Sequence, residues 1–228
     1  VFAGCGGNKK DNGAAGKTAD ASSVKIGFIT AYTGPGAAYG VAMKEGVDLA
    51  VEEINNNPKT KVKIDLKTYD TKLVKAEAIN AMKKAIEQDK VLAVEGPMTS
   101  GEMFAAGPIA QQSKVVAFGT GTTAPKIATP WNADRQTEKA QAFRKAFVAK
   151  YNHEPDQFAA QAYDAMYLIH QAVEQSGTTT DRKKFRDTLA QIKGFEGATG
   201  KFEFDANRDP KMDLDVLQVK EGKWVPFA

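Results

Sequence analysis

The chain has 228 residues and a mass of 24.5 kDa, enough for one large domain or two small ones. Hydrophobic residues make up 42% and charged residues 26%, which excludes a mainly disordered chain. The net charge is +3 with acids and bases interleaved, so nucleic acid is not an expected partner. No run approaches the ~18 apolar residues of a transmembrane helix. The single cysteine, Cys5, excludes an internal disulfide and a multi-cysteine metal site. Two histidines, His153 and His170, leave little for a histidine metal centre or a catalytic triad.

Residues 1–23 carry glycine, alanine and polar side chains with no apolar period, so they are read as a flexible linker outside the fold. Phe2-Ala3-Gly4-Cys5 resembles the end of a bacterial lipoprotein signal. In that pattern an apolar residue, a small residue and Gly or Ala precede the cysteine that receives lipid. An incidental free thiol is the plainer reading. The resemblance implies a chain that begins inside its signal. Lipid on Cys5 would then hold the domain at a membrane surface without spanning it.

Residues 24–30 form a short apolar run with β-branched residues, read as a first strand. After the loop Tyr32-Thr33-Gly34-Pro35-Gly36, a helix follows with Val47, Ala50, Val51 and Ile54 on one face, ending at Asn55-Asn56-Asn57-Pro58. Residues 61–67 alternate strictly, which predicts a half-exposed second strand near a sheet edge. Val74, Ala78, Met82 and Ile86 mark a second helix. Residues 91–94 are a third strand, 103–112 a third helix and 115–118 a fourth strand. This βαβαβαβ order favours an α/β, Rossmann-like parallel sheet with helices on both faces. Residues 120–130 read as a loop. Helices are then expected over 138–151, over a stretch from Phe158 to Val173 with Gly177 as C-cap, and over 181–191. The tail holds strand candidates at 200–204, 214–219 and 223–227.

Three loops leave the carboxyl ends of strands one, three and four, the edge where open α/β sheets bind ligands. The first, Gly34-Pro35-Gly36-Ala37-Ala38-Tyr39-Gly40, is glycine-rich and enters a helix, as phosphate-cradling turns do. With Asp70 ending strand two, it raises a nicotinamide-binding enzyme as a rival. Against that, the spacing is G-x-G-x-x-x-G, Pro35 removes a backbone donor, and no convincing acid–base pair follows. In the second loop, Glu95-Gly96-Pro97-Met98-Thr99-Ser100-Gly101, Ser100 is a candidate nucleophile but lacks the G-x-S-x-G frame. Thr99-Ser100 also reads as a helix N-cap with Glu102 in the first turn. The third, Gly119-Thr120-Gly121-Thr122-Thr123-Ala124-Pro125, is no P-loop, because no Gly-Lys-Ser/Thr closes it. It is either a plain crossover or a place where a ligand approaches backbone. Neutral hydroxyls and amides with Tyr39 as an aromatic wall suit the holding of a small zwitterion, not bond breaking.

These segments resemble a known family. The match runs through Thr33-Gly34-Pro35, Tyr39-Gly40 and the helix from Glu45 to Asn55, then 91–100 and 120–125. It continues in Ala162-Tyr163-Asp164-Ala165 and the stretch from Phe195 to Asp205. In order and content they look like the branched-chain amino acid (leucine/isoleucine/valine type) substrate-binding proteins of ABC transporters. The resemblance implies lobe one of a type I periplasmic-binding fold, two Rossmann-like lobes around a cleft. It also implies ligand-binding roles for Tyr39, Ser100, Gly121 (through its backbone) and Thr123. Family members cross into a second lobe after the loop matching 122–130. Here Pro130 is followed almost at once by Trp131 and the late helices, so most of lobe two is expected to be deleted near 130–131.

The resulting expectation is a non-enzymatic α/β lobe over 24–228, preceded by the 1–23 signal remnant and linker. It would capture branched-chain or similar amino acids outside the cytoplasm, lipid-anchored or periplasmic, for an ABC transporter permease. No cofactor or metal is implied. Loss of lobe two would impair capture and expose a cleft face able to form a homodimer. The alternative is an engineered or degenerate single-lobe scaffold or interaction module.

Overall fold

A computed structural model of the chain describes residues 22–121, 128–129, 131, 135–205, 210–212, 215–220 and 223–226. Strand β1 (Ser22–Thr30) pairs in parallel with β2 (Val62–Asp70) along its whole length. On its other side β1 pairs with β3 (Ala93–Glu95), which in turn pairs with β4 (Val116–Phe118), all parallel. The sheet order is β2-β1-β3-β4. The crossovers carry α1 (Ala37–Asn56), α2 (Lys75–Lys83), which runs on into a π-helical turn at Lys84–Gln88, and α3 (Ser100–Gln112).

Both faces of the sheet are covered, which is why β1 reads as a continuous apolar run. Val24, Ile26 and Phe28 face a core shared with Met43, Val47 and Ala50 of α1 and with Met166, Ile169 and Val173 of α5 (Gln157–Ser176). Ile29 and Val94 face the opposite core, built with Ala78, Met82, Ile86, Ala106 and Ala110. The alternating β2 lies at the sheet edge, as its pattern predicts. Strand β1 starts two residues earlier than expected, because Ser22 and Ser23 continue the pairing with Val62 and Lys63.

Helix α1 packs close to its neighbours through two glycines. A Cβ at Gly40 would stand 1.8 Å from the Ala31 carbonyl oxygen, and one at Gly46 would stand 2.0 Å from that of Ala159 on α5. Helices α4 (Glu138–Tyr151) and α5 begin at capping side chains, Thr137 and Asp156, and end at Asn152 and Gly177 in the left-handed conformation. Helix α6 (Arg182–Leu189) starts with Arg182, whose guanidinium donates to the carbonyls of Ser113 and Val91 at 3.3 and 3.2 Å.

The hairpin β6 (Phe195–Gly197) and β7 (Gly200–Phe204) extends to β8 (Pro210–Met212). A separate antiparallel sheet joins β10 (Lys223–Pro226), β9 (Asp215–Lys220) and the two-residue β5 (Ala128–Thr129). The short strands β5, β6 and β8 lie where no strand is expected from the sequence.

Candidate functional site

The chain leaves β1 toward β2 on one side and leaves β3 toward β4 on the other. This reversal puts a topological switch point at the carboxyl ends of β1 and β3, the usual ligand position in such sheets. Three loops meet there around Met98. A Cβ on Gly36 would stand 3.1 Å from Met98 Cε, and one on Gly121 would stand 2.5 Å from the Met98 carbonyl oxygen. The loops after β1, β3 and β4 therefore come together as the sequence reading expects.

The first loop is pinned from β2. Asp70 Oδ1 accepts from the Tyr32 and Lys72 amides at 2.9 and 3.0 Å, and Oδ2 accepts from the Thr33 hydroxyl at 2.6 Å. Desolvation alone would raise the Asp70 pKa, but hydrogen bonds from Thr33, Lys72 and Tyr32 outweigh it and hold the carboxyl below its usual range. Asp70 is thus committed to its own loop, in a place where a dinucleotide fold needs an acid free for ribose.

The start of α3 is a capping box, with Thr99 rather than Ser100 as the N-cap. The Thr99 hydroxyl accepts from the Glu102 amide at 3.4 Å, and Glu102 Oε2 accepts from the Thr99 amide at 3.2 Å. Glu102 is buried and also accepts from the Thr71 hydroxyl, which ties α3 to the loop after β2. Ser100 is the first helical residue. Its side chain is exposed, and its amide and that of Gly101 have no acceptor within the helix. Such a helix start can hold a carboxylate.

Tyr39 lies in the first turn of α1, 52% exposed, with its ring edge-on to Phe158 at 4.9 Å. Tyr39, Ser100 and Gly121 therefore share the carboxyl edge. Thr123 and Cys5 lie outside the described residues. His170 is at the opposite edge, where Nε2 lies 2.9 Å from the carbonyl oxygen of Val62 at the start of β2. His153 stands beside Glu45 on α1. Both histidines are thus held by other partners, His170 at the far edge of the sheet and His153 beside α1. Among the described residues no group of three His, Cys, Asp or Glu side chains is placed to hold a metal. No helix among them is long and apolar enough to cross a membrane.

One residue at this edge escapes the sequence reading. Glu95, the last residue of β3, is fully buried. Its Oε1 lies 3.5 Å from the Thr120 hydroxyl, and its Oε2 has no hydrogen-bond partner. Burial pushes its pKa well above the usual carboxylate range, against the weaker pull of Thr120. The only cue in the sequence is an acid at the end of the apolar run 91–94.

The sequence profile of the periplasmic binding protein family matches residues 23–133 and 126–223. The chain belongs to the periplasmic binding protein family. A Leu/Ile/Val-binding protein, BraC3, from Rhizobium johnstonii is 31% identical over 107 residues, 46% of this chain and 29% of that protein. An amino acid binding protein from Pseudomonas aeruginosa is 27% identical over a stretch of the same size. The sequence matches thus span less than a third of either curated relative.

Among solved structures, the leucine binding protein LivK from Thermotoga maritima superposes with a TM-score of 0.81 at 19% identity, covering 90% of this chain and 98% of that one. LivJ from Streptococcus pneumoniae, solved with isoleucine, gives 0.75 at 21% identity, covering 89% and 98%. The parallel sheet flanked by helices is the type I periplasmic-binding fold expected from the sequence. These relatives are named as binding proteins, not as enzymes.

Proposed function

We propose that this periplasmic binding protein is the amino-acid-capturing component of an ABC importer for branched-chain or similar amino acids. The observation that carries the reading is the carboxyl edge itself. Tyr39, Ser100 with the free amides of α3, and Gly121 gather there, and among the described residues neither histidine joins them. Amides at the α3 start receive the ligand carboxylate, Tyr39 walls its side chain, and Thr123 adds a hydroxyl. The ligands named for LivJ and BraC3 point to the same class. Anchoring through lipid on Cys5 outside the cytoplasm and delivery to a permease complete the proposal.

The expected loss of most of lobe two near 130–131 belongs to this proposal. A half-site open to water binds weakly, because solvent screens each polar contact and little of the ligand surface is buried. Isothermal titration of the full chain with leucine, isoleucine and valine tests the reading. Weak, saturable heats with these ligands and none with NADH are expected. Heats with NADH alone would overturn it.

A second reading rests on one further observation. The large hydrophobic side chains exposed among the described residues are Tyr39, Val41, Val74 and Phe104. All four lie at the starts of α1, α2 and α3, around this same edge. Such a rim suits a second copy of the chain, so we propose that the exposed face forms a homodimer in which the lobe also acts as an interaction module.

A further inference from the structure

The side chain of Glu95 sits beneath the candidate site with no cation among the described residues to balance a charge. Along β3, Ala93 joins the core under α1 and α5 and Val94 joins the opposite core. Alternation therefore turns Glu95 toward α1 and α5, level with Phe28 of β1 and Phe118 of β4. Among the described residues the Thr120 hydroxyl approaches it at 3.5 Å, and the buried phenol of Tyr32 lies near enough to feel its charge.

The charged groups of the surrounding elements are engaged elsewhere. Asp48 of α1 pairs with Lys44, and Asp70 of β2 holds the first loop. Asp164 of α5 accepts from Ala198 and Thr199. No described lysine, arginine or histidine pairs with Glu95.

We infer that Glu95 is a pH-sensitive latch under the ligand site: as the neutral acid it tolerates the dry cover of Gly119-Thr120-Gly121 above it, and loss of its proton, although it strengthens the Thr120 contact, opens that cover to water. The physical reason is the cost of a bare buried carboxylate, several kcal/mol unless water or a donor reaches it. The β3 side is held by its neighbours. Gly96 donates to the Phe118 carbonyl at 2.7 Å, and even a Cβ there would stand 2.0 Å from the Ile29 carbonyl oxygen. In the latch Gly119-Thr120-Gly121 moves, and its movement separates Gly121 from Met98, where three loops of the site meet. Capture is then favoured in acid and weakened in alkali. The latch needs no bound ligand, so its test stands apart from the amino-acid reading.

The test is amide hydrogen exchange by mass spectrometry on the full chain from pH 5.5 to 8.5, corrected for intrinsic rates, with α2 as internal reference. Opening linked to one proton lowers protection by up to about tenfold per pH unit above the Glu95 pKa. Peptides over 116–121 are expected to lose protection on that scale while α2 does not. Glu95→Gln and Glu95→Leu, which cannot ionise, are expected to keep 116–121 flat. Protection over 116–121 that is independent of pH in the unmodified chain overturns the latch, whatever the variants do. So does an equal loss in either folded variant.

Discussion

Asp164 on α5 grips Thr199 in the β6–β7 turn with a single carboxylate oxygen. Oδ2 accepts from the Thr199 amide at 2.7 Å and from its hydroxyl at 2.6 Å, while Oδ1 accepts from the Ala198 amide at 2.7 Å. The turn closes tightly over the carboxylate, since a Cβ at Gly197 would fall 2.3 Å from Asp164 Cγ. Asp164→Asn puts an amide nitrogen where at least one backbone N–H needs an acceptor. A loss of about 1–3 kcal/mol in urea unfolding is expected, the usual cost of a buried donor left unpaired. Stability equal to the parent would show that the turn does not depend on this anchor.

The same group bears on pH. Burial pushes Asp164 up to about 6 from an ordinary 3.8, against the hydrogen bonds of Thr199 and Ala198. The folded chain therefore holds this proton to higher pH than the unfolded chain does. Its stabilising contribution is full below about pH 4 and is lost as pH rises through about 6. Unfolding free energy measured from pH 4 to 7 should fall with pH more steeply in the parent than in Asp164→Asn. Parallel profiles would contradict the assignment.

Much of this architecture is written in the sequence as period and composition. The alternation in 61–67 is visible because one face of β2 meets solvent, and β1 is visible because both its faces are buried. Strands β5, β6 and β8 are two or three residues long, too short for any period, and they exist through pairing with distant segments. At the site, Thr99-x-x-Glu102 already has capping-box spacing, so the N-cap at Thr99 was legible and the choice between Thr99 and Ser100 decidable. Glu95 was not legible. An acid at the end of an apolar strand is ordinary, and only the tertiary cover from α1, α5 and the β4 loop makes it buried.

The cap and the ligand contact separate by one residue, which permits a clean pair of variants. Thr99→Ala removes the hydroxyl that accepts from the Glu102 amide, and should cost about 1 kcal/mol of stability. Ser100→Ala removes an exposed hydroxyl outside the cap and should change stability by less than about 0.5 kcal/mol. Only the second is expected to lower leucine affinity at unchanged melting temperature. Equal melting losses in both would place the cap at Ser100 as well.

Three helix glycines predict different outcomes for the same substitution. Gly40→Ala and Gly46→Ala drive a methyl into backbone carbonyls at 1.8 and 2.0 Å, contacts that only a shift of α1 can relieve. Each should destabilise by about 1–3 kcal/mol or more. A Cβ at Gly107 in α3 would meet only side-chain atoms of Met103, the nearest at 3.6 Å, an ordinary van der Waals contact. Gly107→Ala gains helix propensity but sets its methyl against the ring of Pro108, the next residue in the helix, so the two effects offset and stability should change by less than about 0.5 kcal/mol. Thermal melts of the three variants decide the matter, and a Gly40→Ala chain as stable as the parent would contradict the close approach of α1 to the end of β1.

Phe104 is the sharpest probe of the apolar rim. It is 82% exposed on the first turns of α3, so its ring stabilises the isolated fold little. Phe104→Ser should leave the melting temperature of dilute protein unchanged, because the ring is in water on both sides of the folding equilibrium. If the rim joins two copies, the ring is buried only in the dimer. Removing it then forfeits up to about 1.5–3 kcal/mol of apolar burial at each symmetric contact. Sedimentation equilibrium should show dimer in the parent and a dissociation constant raised at least tenfold in the variant. A parent chain that stays monomeric at the highest concentrations would remove the homodimer. The rim would then be free to meet another partner at the edge where Tyr39 and Ser100 already stand.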